Sequence, residues 1–115
     1  MALGWDTAVA ECAINRGIDL IAAIPFNGQE KRWFKTNRDE YWQLLNRANH
    51  VEIVGGNYYS PQAMQLRNQY IVDRCDCLIV LCNRATGGTA NCINYALSVN
   101  RPTFNCWQTF LYFYG

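Results

Sequence analysis

Histidine occurs once in this 115-residue chain, as His50, and no two cysteines form a Cys-x-x-Cys pair. A zinc site therefore lacks its ordinary ligand spacing, and no metal is expected. There is no run of about 18 apolar residues that could form a membrane-spanning helix. The opening Met-Ala-Leu-Gly-Trp-Asp has neither the basic start nor the apolar stretch of a signal peptide. The expectation is a cytoplasmic protein with no membrane partner. Neither sign of charge dominates, since ten basic and nine acidic residues leave a net charge of +1. Without a basic stripe, nucleic acid is disfavoured as a partner, single-stranded DNA included. Only 17 % of residues are charged and 50 % are apolar on a wide count, which excludes intrinsic disorder and a coiled coil. Length and composition together imply one packed globular domain.

Cysteine, by contrast, is plentiful, with six in the chain. Cys75, Cys77 and Cys82 sit in or beside Cys-Asp-Cys-Leu-Ile-Val-Leu-Cys, a run that reads as a buried strand. Neighbours two apart on a strand share a face, but they are too far apart and too parallel to form a disulfide. Buried structural thiols are the expectation.

Residues 6–16 place Ala8, Val9, Cys12 and Ala13 at helical spacing, with Asp6 as N-cap and Gly17 just past the end. Residues 18–24 are almost wholly apolar and stop at Pro25-Phe26, the pattern of a strand covered on both faces. Asn37 followed by Glu40 has the spacing of a capping box, and Tyr41, Leu44, Leu45 and Ala48 form one stripe, which predicts a helix over 37–49. A short strand over 51–54 ends at Gly55-Gly56. Ser60-Pro61 then supplies an N-cap and a first-turn proline for a helix over 61–74. The strongest strand is 77–82, Gly87-Gly88-Thr89 opens a helix running to about 99, and a last strand covers 102–107. This alternation, without repeat or low-complexity linker, predicts an α/β fold whose mostly parallel sheet carries helices on both faces. Because a helix comes first, a strand is expected to be missing before Met1, so that the domain is N-terminally truncated.

In a doubly wound sheet the ligand lies beyond the C-terminal ends of the strands, at helix N-termini that favour anions. Four loops meet that description, at residues 4–6, 25–33, 55–65 and 83–91. The last is the best phosphate candidate, since Gly87 and Gly88 let backbone approach a ligand and Thr89 can donate a hydroxyl. The same three residues also suit a tight strand-to-helix turn with Thr89 as its cap. Arg67, beside Gln65 and Asn68 early in a helix, suits a bidentate grip on phosphate or an ordinary solvated or salt-bridged arginine. Gln-Glu-Lys-Arg-Trp ends in Trp33, which could stack a base or anchor a surface loop.

Four ordered blocks, Met-Ala-Leu-Gly-Trp-Asp, Ala-Ala-Ile-Pro-Phe-Asn-Gly-Gln-Glu-Lys-Arg-Trp, Tyr-Ser-Pro-Gln-Ala-Met-Gln-Leu-Arg-Asn and Gly-Gly-Thr-Ala-Asn, closely resemble the YpsA-like branch of the SLOG superfamily over about residues 1–102. The resemblance implies a Rossmann-like three-layer sandwich over residues 1–106 that binds a nucleotide or a nucleotide-derived, ADP-ribose-like ligand as a sensor module, with no further cofactor. The implied ligand contacts are Gly4 and Asp6 from the first block, Pro25, Phe26, Glu30 and Trp33 from the second, Arg67 and Asn68 from the third, and Gly87, Gly88, Thr89 and Asn91 from the fourth. Phosphate would lie on Gly87, Gly88 and Thr89, Arg67 would hold its charge, and Trp33 or Phe26 would flank the base.

Two departures qualify what the resemblance implies. The related LOG enzymes, which cleave the base from a nucleoside 5'-monophosphate, carry a catalytic glutamate three residues after the threonine, where this chain has Cys92. A thiol of ordinary pKa does not replace a carboxylate in stabilising an oxocarbenium-like centre. An N-glycosidase or phosphoribohydrolase is therefore the alternative reading, with Asp6 or Glu30 as its carboxylate. The family also resembles a strand-first design, whereas this chain starts at the Met of the first block. Outside the family pattern lies the tail over residues 107–115, Trp-Gln-Thr-Phe-Leu-Tyr-Phe-Tyr-Gly. So much aromatic surface is expected to pack in a homo-oligomer interface or to cover an open sheet edge.

Overall fold

The computed structural model describes residues 4–114. Met1, Ala2 and Leu3 of the opening block and Gly115 of the tail lie outside the described residues. The order is α1 (Trp5–Asn15), β1 (Ile21–Ile24), α2 (Lys35–Arg47), β2 (His50–Ile53), α3 (Pro61–Arg74), β3 (Leu78–Val80), α4 (Gly88–Ser98), β4 (Thr103–Asn105) and α5 (Trp107–Tyr114). Strands pair in parallel, β1 with β2 and β3 with β4. The α/β class expected from the alternation is observed, and its parallel strands are consistent with the Rossmann-like fold that the resemblance implies. The chain divides into two units, residues 1–67 and 68–115, each with its own strand pair and its own core.

In the first unit, Ile21 pairs with His50 and Ile24 with Ile53. The small Ala22 lets Ala10 of α1 and Tyr41 and Leu44 of α2 close over the strand, and with Ile24 these form the buried core. Burying such side chains contributes about 1.5–3 kcal/mol for each large one. Helix α1 stops where the sequence indicates, in a Schellman turn: Gly17 takes φ 69° and donates to Ile14, and Ile18 donates to Ala13. Beyond the ladder, Val54 donates to Ile24 (2.9 Å) and Asn27 to Gly56 (2.8 Å), so the two loops leaving the strand ends stay zipped together. Gly55 sits at that junction with no room for a side chain. A Cβ there would lie 2.2 Å from the Pro25 carbonyl oxygen and 2.5 Å from the Ala63 Cβ.

In the second unit, Leu78, Ile79 and Val80 pair with Thr103, Phe104 and Asn105. Val72, Leu78, Val80, Cys92 and Ala96 form the core. The Tyr95 hydroxyl donates to Asp73 at 2.7 Å, which ties α4 to the end of α3 and raises the Tyr95 pKa. Asn105 extends the strand pairing with its side chain. Its Oδ1 accepts from the Cys82 and Trp107 N–H groups at 3.2 and 3.0 Å, and its Nδ2 donates to the Cys82 carbonyl at 2.8 Å. Helix α4 ends in a second Schellman turn, in which Asn100 adopts φ 57° and Arg101 donates to Ala96 at 2.8 Å.

Several expectations are corrected. Asp6 is not the N-cap of α1. Gly4, with φ 80°, holds that position, and Asp6 lies in the first turn. The Asn37–Glu40 capping box does not form, because α2 starts at Lys35 after an extended Phe34. The Glu40 carboxyl instead shares a hydrogen bond with Glu11, which raises its pKa. The strands are shorter than the apolar runs and not covered on both faces within their units. Ile21, Val51 and Ile53 are exposed on the first pair, and the cross-strand partners Ile79 and Phe104 on the second. The thiols are not uniformly buried either. All six are free, but only Cys92 is buried, while Cys12 and Cys77 are exposed. Residues 107–114 form a helix, which begins where the last strand was expected to run on.

Gly55→Ala is expected to destabilise the protein by about 1–3 kcal/mol, the range for forcing atoms into a packed site. Urea unfolding checks it, and a wild-type midpoint would refute the packing argument.

Candidate functional site

Each unit opens a cleft at the C-terminal ends of its strands, where a parallel α/β fold leaves helix N-termini and loops free to meet a ligand.

In the second unit the cleft encloses about 280 Å³ between the end of β3 and the start of α4, and is lined by Asn83, Arg84, Thr86, Gly87, Gly88 and Thr89 among others. Gly87 is the N-cap of α4 with φ 108°, a conformation open to glycine. No side chain caps this helix. The first-turn N–H groups therefore carry their partial positive charge towards the cleft side of the turn, without an internal partner. Thr89 is in the first turn and not the cap, so the bland role considered for it is not the one it has. Gly88 is the informative residue. Its φ is ordinary, and a Cβ built on it meets nothing within 4 Å. Neither backbone strain nor packing calls for glycine there. Asn68, buried at 7 % exposure, donates from Nδ2 to the Gly88 carbonyl at 3.2 Å and fixes the turn. On the other side, the Asn105 clamp holds Cys82 at the cleft wall.

In the first unit a cleft of about 600 Å³ lies between the loop after β1 and the loop after β2. Phe26, Lys31 and Arg32 wall one side and Tyr58 and Tyr59 the other. Phe26 meets Tyr59 edge to face, with ring centroids 5.9 Å apart. Pro25, Glu30 and Trp33 turn inward. Pro25 is fully buried, Glu30 is 8 % exposed, and Trp33 packs edge to face on Tyr41 at 5.3 Å. Trp33 thus has the anchoring position. Burial pushes the Tyr41 phenol up to about 12, with the negative charge of Glu30 adding to the effect.

The remaining expected residues line neither of these clefts. Gly4 and Asp6 are at the start of α1. Arg67 is buried on α3 at 7 % exposure and is engaged with other groups. Asn91 is exposed on α4, its N–H donating to the Gly87 carbonyl at 2.9 Å. Cys92, at the position of the LOG glutamate, packs into the apolar core. Among the described residues no group of His, Cys, Asp and Glu is placed to hold a metal ion, and no helix is long and apolar enough to cross a membrane. Sequence reasoning missed Tyr58 and Tyr59. The available signal was two adjacent aromatics in a strand-to-helix loop, where they had no apolar stripe to join.

A protein-family model described as the YspA SLOG family (YpsA) matches residues 10–106 of the chain. An uncharacterised SPbeta prophage-derived protein, YoqJ, of Bacillus subtilis is 30 % identical over 138 residues, covering 99 % of this chain and 81 % of the relative. A UPF0398 protein of Bacillus cereus is 31 % identical over 93 residues, covering 76 % of this chain and 50 % of the relative. One of Bacillus thuringiensis is 29 % identical over 97 residues, covering 84 % and 53 %. The chain thus spans about half the length of these UPF0398 relatives.

The buried tyrosine makes a test of the packing around Glu30. The folded protein holds the Tyr41 proton up to about 12, whereas the unfolded chain releases it near the ordinary value of 10. The stability tied to this group is therefore complete below pH 10 and is lost as pH rises towards 12. Denaturant unfolding across that window is expected to show a steeper loss in wild type than in Tyr41→Phe. Identical pH profiles would refute the assignment.

Proposed function

The chain belongs to the YspA SLOG family, and we propose that it is a binding module for a nucleotide or nucleotide-derived ligand whose phosphate is received at the N-terminus of α4. Family membership supports a nucleotide-related binding or sensor module. The finer reading rests on one observation, the unforced glycine at position 88. At Gly88, the first residue of α4, neither φ nor a neighbouring atom calls for glycine, so close approach of a ligand to the backbone is the use left for the missing side chain.

The chemistry follows from the turn. Gly88, Thr89 and Ala90 present first-turn N–H groups, the Thr89 hydroxyl adds a donor, and exposed Arg84 brings a positive charge to the cleft rim. Phosphate at such a turn meets hydrogen bonds and the positive end of the helix dipole together. Asn68 keeps the turn in place through the Gly88 carbonyl.

Gly88→Val is expected to leave the circular dichroism spectrum and melting temperature near wild type and to weaken phosphate-bearing adenine nucleotides at this site at least tenfold in calorimetry. Thr89→Val should weaken them less, through loss of one hydroxyl. Unchanged affinity in the glycine variant would remove the loop from the site. Release of free base during incubation with nucleoside monophosphates would instead favour the N-glycosidase reading.

Helix α5 supports self-association as a property of the same protein. Tyr112, Phe113 and Tyr114 are 85 %, 69 % and 80 % exposed, a concentration of aromatic surface that a second copy of the chain would cover. Light scattering on the intact chain and on a form ending at Cys106 is expected to show a dimer or larger species only for the former. A monodisperse monomer in both would refute it.

A further inference from the structure

We propose that Cys75 and Cys77 form a thiol–disulfide exchange site, a dithiol pair that a low-molecular-weight disulfide closes into an intramolecular bond. The site uses no residue of the α4 turn and does not depend on nucleotide binding there. Its basis is the bend between α3 and β3. Helix α3 ends at Arg74 and β3 begins only at Leu78, so Cys75-Asp76-Cys77 turns the chain and does not lie in the strand. In a strand, residues two apart stand about 6.4–6.8 Å from each other with side chains held parallel by the pleat, which opposes a disulfide. A bend shortens that span towards the middle of the range a disulfide needs and frees the two Cβ vectors to turn together. Among the described residues no backbone hydrogen bond holds the Asp76 or Cys77 N–H. The bend can tighten without breaking one.

The two thiols divide the chemistry. Cys77 is exposed and meets a reagent first. Cys75 is partly buried, packs against the core of the second unit, and donates from Sγ to the Val72 carbonyl at 3.4 Å. Burial holds its thiol above the ordinary range, while the Arg101 guanidinium, whose Nε is buried without a partner, pulls the other way. In the first step the Cys77 thiolate attacks one sulfur of the small disulfide, whose S–S bond breaks, and one small thiolate leaves. The Cys75 thiolate then attacks the Cys77 Sγ, so that the bond between Cys75 and Cys77 forms and the second small thiolate leaves. Two electrons pass from the protein to the small disulfide, and the two thiol protons end on the two small thiols. Reopening by attack at the exposed Cys77 sulfur needs Cys75 as the leaving group. A thiol of raised pKa leaves slowly, so the closed form persists.

The test incubates the full reduced chain with glutathione disulfide, quenches by alkylation at intervals and maps the cysteines by mass spectrometry. Cys12, exposed like Cys77 but without a thiol two residues away, is the internal control. The glutathione adduct on Cys77 is expected to live at least about tenfold less long than that on Cys12. It should give way to a peptide over Cys75–Arg84 that has lost two hydrogens, with fragmentation placing the bond between Cys75 and Cys77. Because Cys82 lies in the same peptide, Cys82→Ser is included and should close as wild type does. Cys75→Ser should leave the Cys77 adduct as long-lived as that on Cys12. Cys77→Ser changes an exposed residue and keeps the assay valid where Cys75→Ser disturbs the core; it should leave Cys75 reduced. A Cys77 adduct as persistent as that of Cys12 in the wild-type chain overturns the proposal. So does a bond from Cys77 to Cys82, or oxidation of Cys75 in the Cys77→Ser protein.

Discussion

The first unit depends on the absence of one side chain. At Gly55 the Pro25 carbonyl from the end of β1 and Ala63 from the first turn of α3 approach so closely that no Cβ fits between them. Three segments distant in sequence are thereby locked at one point. That contact keeps the loop after β1 against the loop after β2, and the Asn27–Gly56 bond completes the join. It follows that Phe26 can reach Tyr59, and that a cleft exists there at all. Small residues serve the same end elsewhere in the unit, Ala22 admitting α1 and α2 onto the strand.

The second unit reaches a comparable geometry with carboxamides. Asn105 carries the pairing of β3 and β4 beyond the last backbone rung and passes directly into α5 through the Trp107 N–H. Asn68 grips the Gly88 carbonyl across the fold of that unit. Both side chains hold backbone that must change direction without regular secondary structure to support it. The glycine turn is thereby anchored at the Gly88 carbonyl although two consecutive residues in it have no side chain.

Local signals were legible in the sequence where the physics is local. Ser60 and Pro61 set the start of α3, and the Ser60 Oγ accepts from the Ala63 N–H at 2.9 Å. Gly17 marks the end of α1. The glycine turn was legible for the same reason, as three consecutive residues. The spacing of Asn37 and Glu40 misled because α2 begins two residues earlier, at Lys35, which places Asn37 inside the first turn and not at the cap. Helix α5 was not legible because an eight-residue aromatic run is too short for a period to stand out from its composition. Tyr58 and Tyr59 acquire meaning only from a hydrogen bond between Asn27 and Gly56, residues on separate loops. The resemblance supplied Phe26 at the first cleft, but it also supplied Pro25, Glu30 and Trp33, which the inward packing takes out of its lining.

The uneven burial of the thiols gives the second unit an internal clock. Cys92 is buried on the core side of α4 while Cys12 and Cys77 are exposed. An alkylating reagent meets the latter directly, but it reaches Cys92 only when α4 lifts from β3. The labelling rate of Cys92 therefore measures the frequency of that opening. Cys75 is slowed for a different reason, since burial raises its pKa and lowers its thiolate fraction. The ratio of these rates separates motion from acidity, and any molecule that seats on the turn preceding α4 would register as a slower Cys92 without touching sulfur.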